Sequence, residues 1–275
     1  MTSTLAVAVD DMWYMLRNIA VIIPIFGRDD LTLTVLGDLS REAGLLDVWL
    51  VDNLGTFAPG SASVEIVRPG TNLGWSGGCN YGVSVARERE YDAFVLLNND
   101  VRLSPSFVSG LLDAANVTGG DVIGPVYDHN WPHQRGTYQD DAAGYVACAR
   151  DVAAPFVDGT CMLIRSSVFE RIGFLDEDHW PMYGWGCDKD LALRCRGAGG
   201  TIWVTERSYL NHYGRQTARE LVGYSELAAE RENDLGMCAK WGSDWRELLY
   251  EGFENVSRLG LVQERLIRMN ASSCN

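Results

Sequence analysis

The sequence predicts an α/β protein: a mostly parallel central sheet flanked by helices, with a helical C-terminal segment. Three observations carry this expectation. Short runs of branched apolar residues alternate with helical segments through the first half of the chain, the pattern of βαβ units feeding a parallel sheet. Three of those runs stop at polar clusters, Pro24 to Arg28, Asp52-Asn53 and Asn98 to Asp100, and in such sheets ligands sit at the carboxyl ends of the strands. From Glu220 onward the pattern is helical.

Taken in order, Ile19-Ala20-Val21-Ile22-Ile23-Pro24 reads as a buried parallel strand ending at a proline. Asp29 and Asp30 can cap a helix that runs to about Ala43. Val48 to Val51 and Val64 to Val67 are the second and third strands. A glycine-rich loop from Gly70 to Gly78 leads into a helix ending near Glu90, and Ala93 to Leu97 is a fourth strand. Ser104 is placed to cap a helix with Pro105 in its first turn, and Val122-Ile123 begins a fifth strand. Residues 128–158 read as loops with a hairpin, Thr160 to Ile164 as another buried strand, and Ser166 as the cap of a helix to Ile172. A helix over 188–197 and a strand from Thr201 to Val204 complete the catalytic-size unit. The expected organisation is an N-terminal extension (1–17), one α/β domain (18–218) and a helical appendage (219–275).

Bulk properties narrow the function. The 275 residues carry 23 Lys+Arg against 37 Asp+Glu, a net charge of -14, which argues against a nucleic-acid surface. The seven cysteines are odd in number and show no Cys-x-x-Cys spacing, so a reducing cytoplasm fits better than a disulfide scaffold or zinc site. The apolar stretch from Leu5 to Ile25 contains Asp10, Asp11 and Arg17, too many charges for a transmembrane span of roughly 20 residues. It also lacks the basic start of a secretory signal, and Met12 or Met15 could serve as the start. Leu249, Phe253, Val256 and Leu259 form an amphipathic stripe that should pack on the domain or build a homodimer. Arg258, Arg265 and Arg268 give it some capacity to lie at a membrane surface, opposed by Glu251, Glu254 and Glu264.

Four motifs carry chemistry. Asn98-Asn99-Asp100 places a carboxylate where a strand ends; Mg²⁺ or Mn²⁺ binds such oxygens and neutralises a leaving diphosphate, although Asn and Asp also suit a plain turn. Asn72-Leu73-Gly74-Trp75-Ser76-Gly77-Gly78-Cys79-Asn80 lets backbone approach a ligand closely and opens a helix whose N–H groups attract anions, or is simply a tight turn. Tyr183 to Leu191 contains Asp188 and Asp190 about Lys189 at a helix start; a carboxylate there can take the proton of a sugar hydroxyl, with Trp185 stacking on a sugar, or Asp188 is a helix cap and Trp185 core. His212 follows the last strand and is either structural or part of a cation shell.

These residues, with Val51-Asp52-Asn53, Asp158-Gly159 through Arg165, Ile172 to Glu177, and Asp188-Lys189-Asp190-Leu191 with Arg194, resemble glycosyltransferase family 2. The likeness is to its rhamnosyltransferase-like branch and runs from about Ile19 to Trp241. It implies the GT-A fold, with a Rossmann-like sheet, and a metal-dependent inverting transfer. The donor would be a UDP- or dTDP-linked hexose or deoxyhexose. The acceptor would be a hydroxyl of a glycan, a protein or a small molecule.

The resemblance also implies roles. Asp188 would be the general base. Asp100, joined by His212, would hold Mn²⁺ or Mg²⁺. Asp52 would meet the base of the nucleotide, within a pocket of Pro24, Phe26, Arg28, Asn53, Asn72, Gly74, Gly77, Asn80, Asn98 and Asn99. Asp158, Gly159 and Trp185 would face the donor sugar and acceptor. The chain departs from the family at Cys187, where Glu is usual, and at Asn53-Leu54-Gly55-Thr56, where Asn-Gly-Ser is usual. Trp185-Gly186 is similar to an element of galactosyl- and N-acetylgalactosaminyl-transferases, which leaves the donor sugar open. Two other readings stand beside this one. A sugar nucleotidyltransferase would need a basic glycine-rich loop after the first strand, where Phe26-Gly27-Arg28-Asp29 is a poor candidate. A catalytically inactive carbohydrate-binding homologue would have no need of both Asp100 and Asp188.

Overall fold

The computed structural model describes residues 15–60, 63–128, 131–214, 216 and 225–253. Nine strands and seven α-helices are described. The strands are β1 (Ile19–Ile25), β2 (Leu46–Asp52), β3 (Glu65–Val67), β4 (Ala93–Leu97), β5 (Val101–Leu103), β6 (Val122–Tyr127), β7 (Asp151–Ala153), β8 (Cys161–Arg165) and β9 (Ile202–His212). The helices are α1 (Asp29–Leu39), α2 (Gly74–Ala86), α3 (Phe107–Thr118), α4 (Ser166–Ile172), α5 (Cys187–Gly197), α6 (Glu226–Trp241) and α7 (Trp245–Tyr250).

One sheet of order β3-β2-β1-β4-β8-β6-β9-β5 forms the centre, with β7 on β9. Its first half, β3-β2-β1-β4, is parallel, as the alternating pattern predicts. The second half is mixed: β8 runs antiparallel to β4 and β6, β9 is parallel to β6, and β5 and β7 are antiparallel to β9. Short strands and loops in this half give the periodicity little to act on, so β5 and most of β9 lie outside the expected elements.

The period-2 alternation of β1 divides the core. Ala20 and Ile22 join the layer made with α2, α4, α5, α6 and α7; Ile19, Val21 and Ile23 join the layer made with α1 and α3. Helix α2 lies close on the sheet because Gly82 leaves room: a Cβ there would overlap Ile22 and come within 2.8 Å of Val51. Helices α6 and α7 contribute Met237, Trp245, Leu249 and Tyr250 to the same core, so the described part of the C-terminal segment is packed on the α/β unit.

Three helix starts differ from expectation. Arg28, in the left-handed region at φ 50°, precedes α1, and Asp29 and Asp30 fall in its first turn without capping it. The helix expected after Ser104 begins at Phe107, because the buried Ser104 hydroxyl instead accepts from Tyr209 N at 3.1 Å. Gly77 and Gly78 belong to α2 rather than to a loop. Among the described residues no helix is long and apolar enough to cross a membrane. The six described cysteines are free, four of them buried. Val256, Leu259 and the arginines of the expected amphipathic helix, like most of the 1–17 extension, lie outside the described residues.

Candidate active site

Asp100 closes the turn between β4 and β5. Asn98 N donates to Thr160 O at 3.0 Å, and Asn99 Nδ2 donates to Thr32 Oγ1 at 3.1 Å, so the two asparagines fasten the turn to neighbouring elements. The buried Asp100 carboxylate sets Oδ1 3.3 Å from His212 Nε2 and accepts the Gln216 N–H at 3.1 Å on Oδ2. Burial pushes its carboxyl up, but His212 and the Gln216 amide outweigh this and hold it below the usual carboxylate range. Burial likewise lowers His212, and the carboxylates of Asp100, Asp158 and Asp128 reverse the effect and raise it.

This pair suits a divalent cation. Two ligands on adjacent octahedral positions, each at about 2.1 Å, stand about 3 Å apart, close to the observed separation of Asp100 and His212. Among the described residues no cluster of three or more His, Cys, Asp or Glu side chains forms a metal cage. An ion held mainly by two protein ligands is instead completed by waters and substrate phosphates, as Mg²⁺ commonly is.

A chain of contacts links this pair to Asp188. His212 Nδ1 lies 3.3 Å from Thr160 Oγ1, whose hydroxyl donates to Asp158 Oδ1. Asp158 Oδ1 also accepts Thr160 N at 3.0 Å, and its Oδ2 accepts the Trp131 indole N–H at 2.9 Å. The next residue, Gly159, donates its N–H to Asp188 Oδ2 at 3.3 Å. Burial raises the Asp188 carboxyl; the ammonium of Lys189, 3.5 Å away, opposes this and the neighbouring Asp158 charge adds to it, leaving Asp188 above the usual range. Asp158 moves the other way: burial raises it, but the Thr160 hydroxyl and N–H and the charges of His212 and Lys189 bring it below. Two carboxylates pushed apart in this way suit different tasks.

Asp190, two positions on, is spent on structure. It is fully buried and binds Arg194 Nε at 2.8 Å, Lys240 Nζ at 2.8 Å and Trp241 Nε1 at 2.9 Å. Trp185 is half-buried in the segment between Gly184 (φ 73°) and Gly186 (φ 109°). Trp75, at the start of α2, lies against Gly159, where a Cβ would be 3.1 Å from its ring; its buried Nε1 has no hydrogen-bond partner among the described residues.

The residues expected on the nucleotide side divide. Pro24 and Asn53 sit under α2, each within 3.3 Å of a Cβ on Gly78. Asn53 holds the entry to α2 by accepting Leu73 N and donating to Gly74 O, both at 3.2 Å, and Asn72 accepts Gly74 N at 2.9 Å. The Asp52 carboxylate is taken up by Gly55 N (2.8 Å), Phe57 N (2.9 Å) and Arg68 Nε (3.2 Å). Asn80 is turned to the 172–177 segment, bonding Leu175 and Glu177. Gly77 faces the same segment, where a Cβ would be 2.8 Å from Glu177 Oε2. Half-buried Phe26 and Arg28 lie at the end of β1. Arg28 is paired with Asp30 at 2.9 Å and reaches Gln216 at 3.4 Å.

Thr160, Trp131 and Gln216 are the contributors that sequence reasoning missed. Thr160 reads as the start of a core strand, and its only signal is that it follows Asp158-Gly159. Trp131 and Gln216 lie in irregular segments without one.

The chain is similar to known proteins in sequence and fold. The family model for glycosyl transferase family 2 matches residues 20–173. The chain is 36% identical over 212 residues to an uncharacterized protein of Mycobacterium tuberculosis (strain ATCC 25618 / H37Rv), covering 77% of this chain and 80% of that one. It is 26% identical to the N-acetylglucosaminyl-diphospho-decaprenol L-rhamnosyltransferase of the same organism, covering 73% and 76%. The fold is similar to that of GalNAc-T7, solved with UDP, GalNAc and Mn²⁺, at a TM-score of 0.54 and 14% identity. That likeness covers 72% of this chain and 44% of GalNAc-T7. With more than half its length matched by that family model, the chain belongs to glycosyltransferase family 2.

Proposed function

We propose that the protein is a metal-dependent, inverting glycosyltransferase acting from a nucleotide-diphosphate sugar to a hydroxyl acceptor. The observation that carries the reading is the link from Asp100 and His212 through Thr160 and Asp158 to Gly159 and Asp188. It joins a cation-suited pair and a raised carboxylate through one short segment. In this reading Asp188 takes the proton of the acceptor hydroxyl as its oxygen bonds to the anomeric carbon from the face opposite the leaving group. The bond from that carbon to the diphosphate breaks, and the diphosphate leaves with the electron pair. Asp100 and His212 would hold Mn²⁺ or Mg²⁺, which neutralises the charge growing on the diphosphate. Asp158, Gly159 and Trp185 would border the sugar. Pro24, Asn53, Asn72 and Gly74 would border the nucleotide.

The 26% relative favours a deoxyhexose donor and an N-acetylglucosaminyl-diphospho-lipid acceptor. The UDP and GalNAc of the structural neighbour keep a UDP-hexose in view. The free, largely buried thiols suit a cytoplasmic setting. The test is a panel of dTDP-L-rhamnose, UDP-galactose, UDP-glucose and UDP-N-acetylgalactosamine with Mn²⁺, Mg²⁺ or EDTA, scored for hydrolysis and for transfer to N-acetylglucosaminyl acceptors. Product configuration is read by NMR. Turnover that survives EDTA, or a product that keeps the donor's configuration, defeats the mechanism.

A further inference from the structure

Helix α6 grips both ends of the segment that carries Trp185 and Asp188. At one end the Glu232 carboxylate accepts three successive backbone N–H groups: Met182 at 3.1 Å, Tyr183 at 3.0 Å and Gly184 at 3.4 Å. At the other end Lys240 and Trp241 bind Asp190 at 2.8 and 2.9 Å. Between these grips the fit is close. A Cβ on Gly186 would stand 2.7 Å from Asn233 Oδ1 and 2.6 Å from Trp180 Nε1, and Gly236 backs directly onto Trp180.

The three N–H groups run from the surface inward: Met182 is 68% exposed, Tyr183 half-buried and Gly184 buried, so water can replace the carboxylate at Met182 more readily than at Gly184. What the carboxylate adds is a single conformation for residues 182–184, since three N–H groups converging on one anion leave the backbone few alternatives. The loop runs directly into Trp185 and the first turn of α5, so its conformation sets where Trp185 and Asp188 stand.

We infer that Glu232 is a positioning residue for the acceptor: through residues 182–184 it holds Trp185 and the start of α5 against the attacking hydroxyl. The inference rests on the reading of Asp188 as the base. A misplacement of about 1 Å in such a site can cost on the order of 10²-fold in rate; the loop runs covalently into α5 but only packs against the start of α2, where a Cβ on Gly184 would be 3.1 Å from Ser76 Oγ and one on Gly74 3.8 Å from Met182 O.

The experiment compares wild type, Glu232→Gln, Glu232→Ala and, as a control on the exposed face of α6, Glu230→Gln. Amide exchange is followed at residues 182–186. UDP and dTDP affinity with Mn²⁺ is measured by calorimetry, and KM and kcat are measured with the donor and acceptor identified by the panel above. Glu232→Ala should speed exchange at 182–184 and raise acceptor KM or lower transfer by about tenfold or more. Nucleotide affinity should change less than the acceptor kinetics, Glu232→Gln should fall between, and Glu230→Gln should match wild type. Unchanged exchange overturns the clamp. Faster exchange with unaltered acceptor kinetics overturns its role toward the acceptor, and a uniform fall in all parameters with lowered melting temperature marks a merely structural role. If Asp188→Asn keeps full transfer, the base assignment fails, whatever Glu232 does.

Discussion

Asp100 and His212 face each other at 3.3 Å because β5 and β9 run antiparallel in a register that pairs Val101 with His212. The turn that presents Asp100 and the strand end that presents His212 are thus one hydrogen-bonded unit. Tyr213 N donates to Asp100 O at 3.0 Å and extends the ladder by one rung.

That unit sets the first prediction. Asp100→Ala should abolish Mn²⁺-dependent binding of the nucleoside diphosphate, and His212→Ala should weaken it while retaining some metal response. Calorimetry with UDP or dTDP, with and without Mn²⁺, reads both. Unchanged affinity in Asp100→Ala would remove Asp100 from a metal site.

Asp188 and Asp190 should behave differently. Asp188→Asn is expected to lower turnover by about 10²–10⁴-fold, the usual worth of a general base, with nucleotide affinity nearly unchanged. Wild-type activity should fall as pH drops through the raised Asp188 pKa, above the ordinary carboxylate value of about 3.9, because protonation removes the base. The variant should lose that limb of the profile. Asp190→Asn leaves Arg194 and Lys240 short of a buried counter-charge, and should cost about 3–5 kcal/mol of stability. Single-turnover kinetics and thermal melting separate the two.

Asp176 makes stability depend on acid. Burial raises its carboxyl, but Lys240 Nζ at 2.6 Å and the His179 backbone and ring nitrogens hold it well below the usual range. A depressed carboxyl stabilises the fold fully above its unfolded value of about 3.9, and the contribution is lost as pH falls from there through the lower folded value. Melting temperatures measured from neutral pH down to about pH 2 should fall more steeply for wild type than for Asp176→Asn. Parallel curves would count against it.

Gly82→Ala tests the packing of α2 on the sheet. The added methyl would overlap Ile22 and press on Val51 at 2.8 Å, and overpacking of this kind costs about 1–3 kcal/mol. Chemical denaturation should show the loss. An unshifted midpoint would mean that α2 can lift from the sheet without penalty.

The parallel half of the fold, and the placing of Asp100 at a strand end and Asp188 at a helix start, were legible in the sequence by itself. Uninterrupted apolar runs such as Ile19 to Pro24 must be buried on both faces, and a strand that stops at Asn98-Asn99-Asp100 aims polar groups where only a ligand or a turn can use them. Asp188 was visible for the same kind of reason, as a carboxylate at a helix start within an ordered set of motifs. What Asp52, Asn80 and Asp190 touch was not legible, because it depends on partners far along the chain: Arg68 sits 16 positions from Asp52, Leu175 95 from Asn80 and Trp241 51 from Asp190. Nor could periodicity reveal the three-residue strand β5 or the continuation of β9 from Thr205 to His212, whose pairing brings His212 to Asp100. Local pattern reports which face of an element is buried; which side chains meet across elements is decided only when the sheet is assembled and its register set. The link through Thr160 and the hold of Glu232 on residues 182–184 are of that second kind.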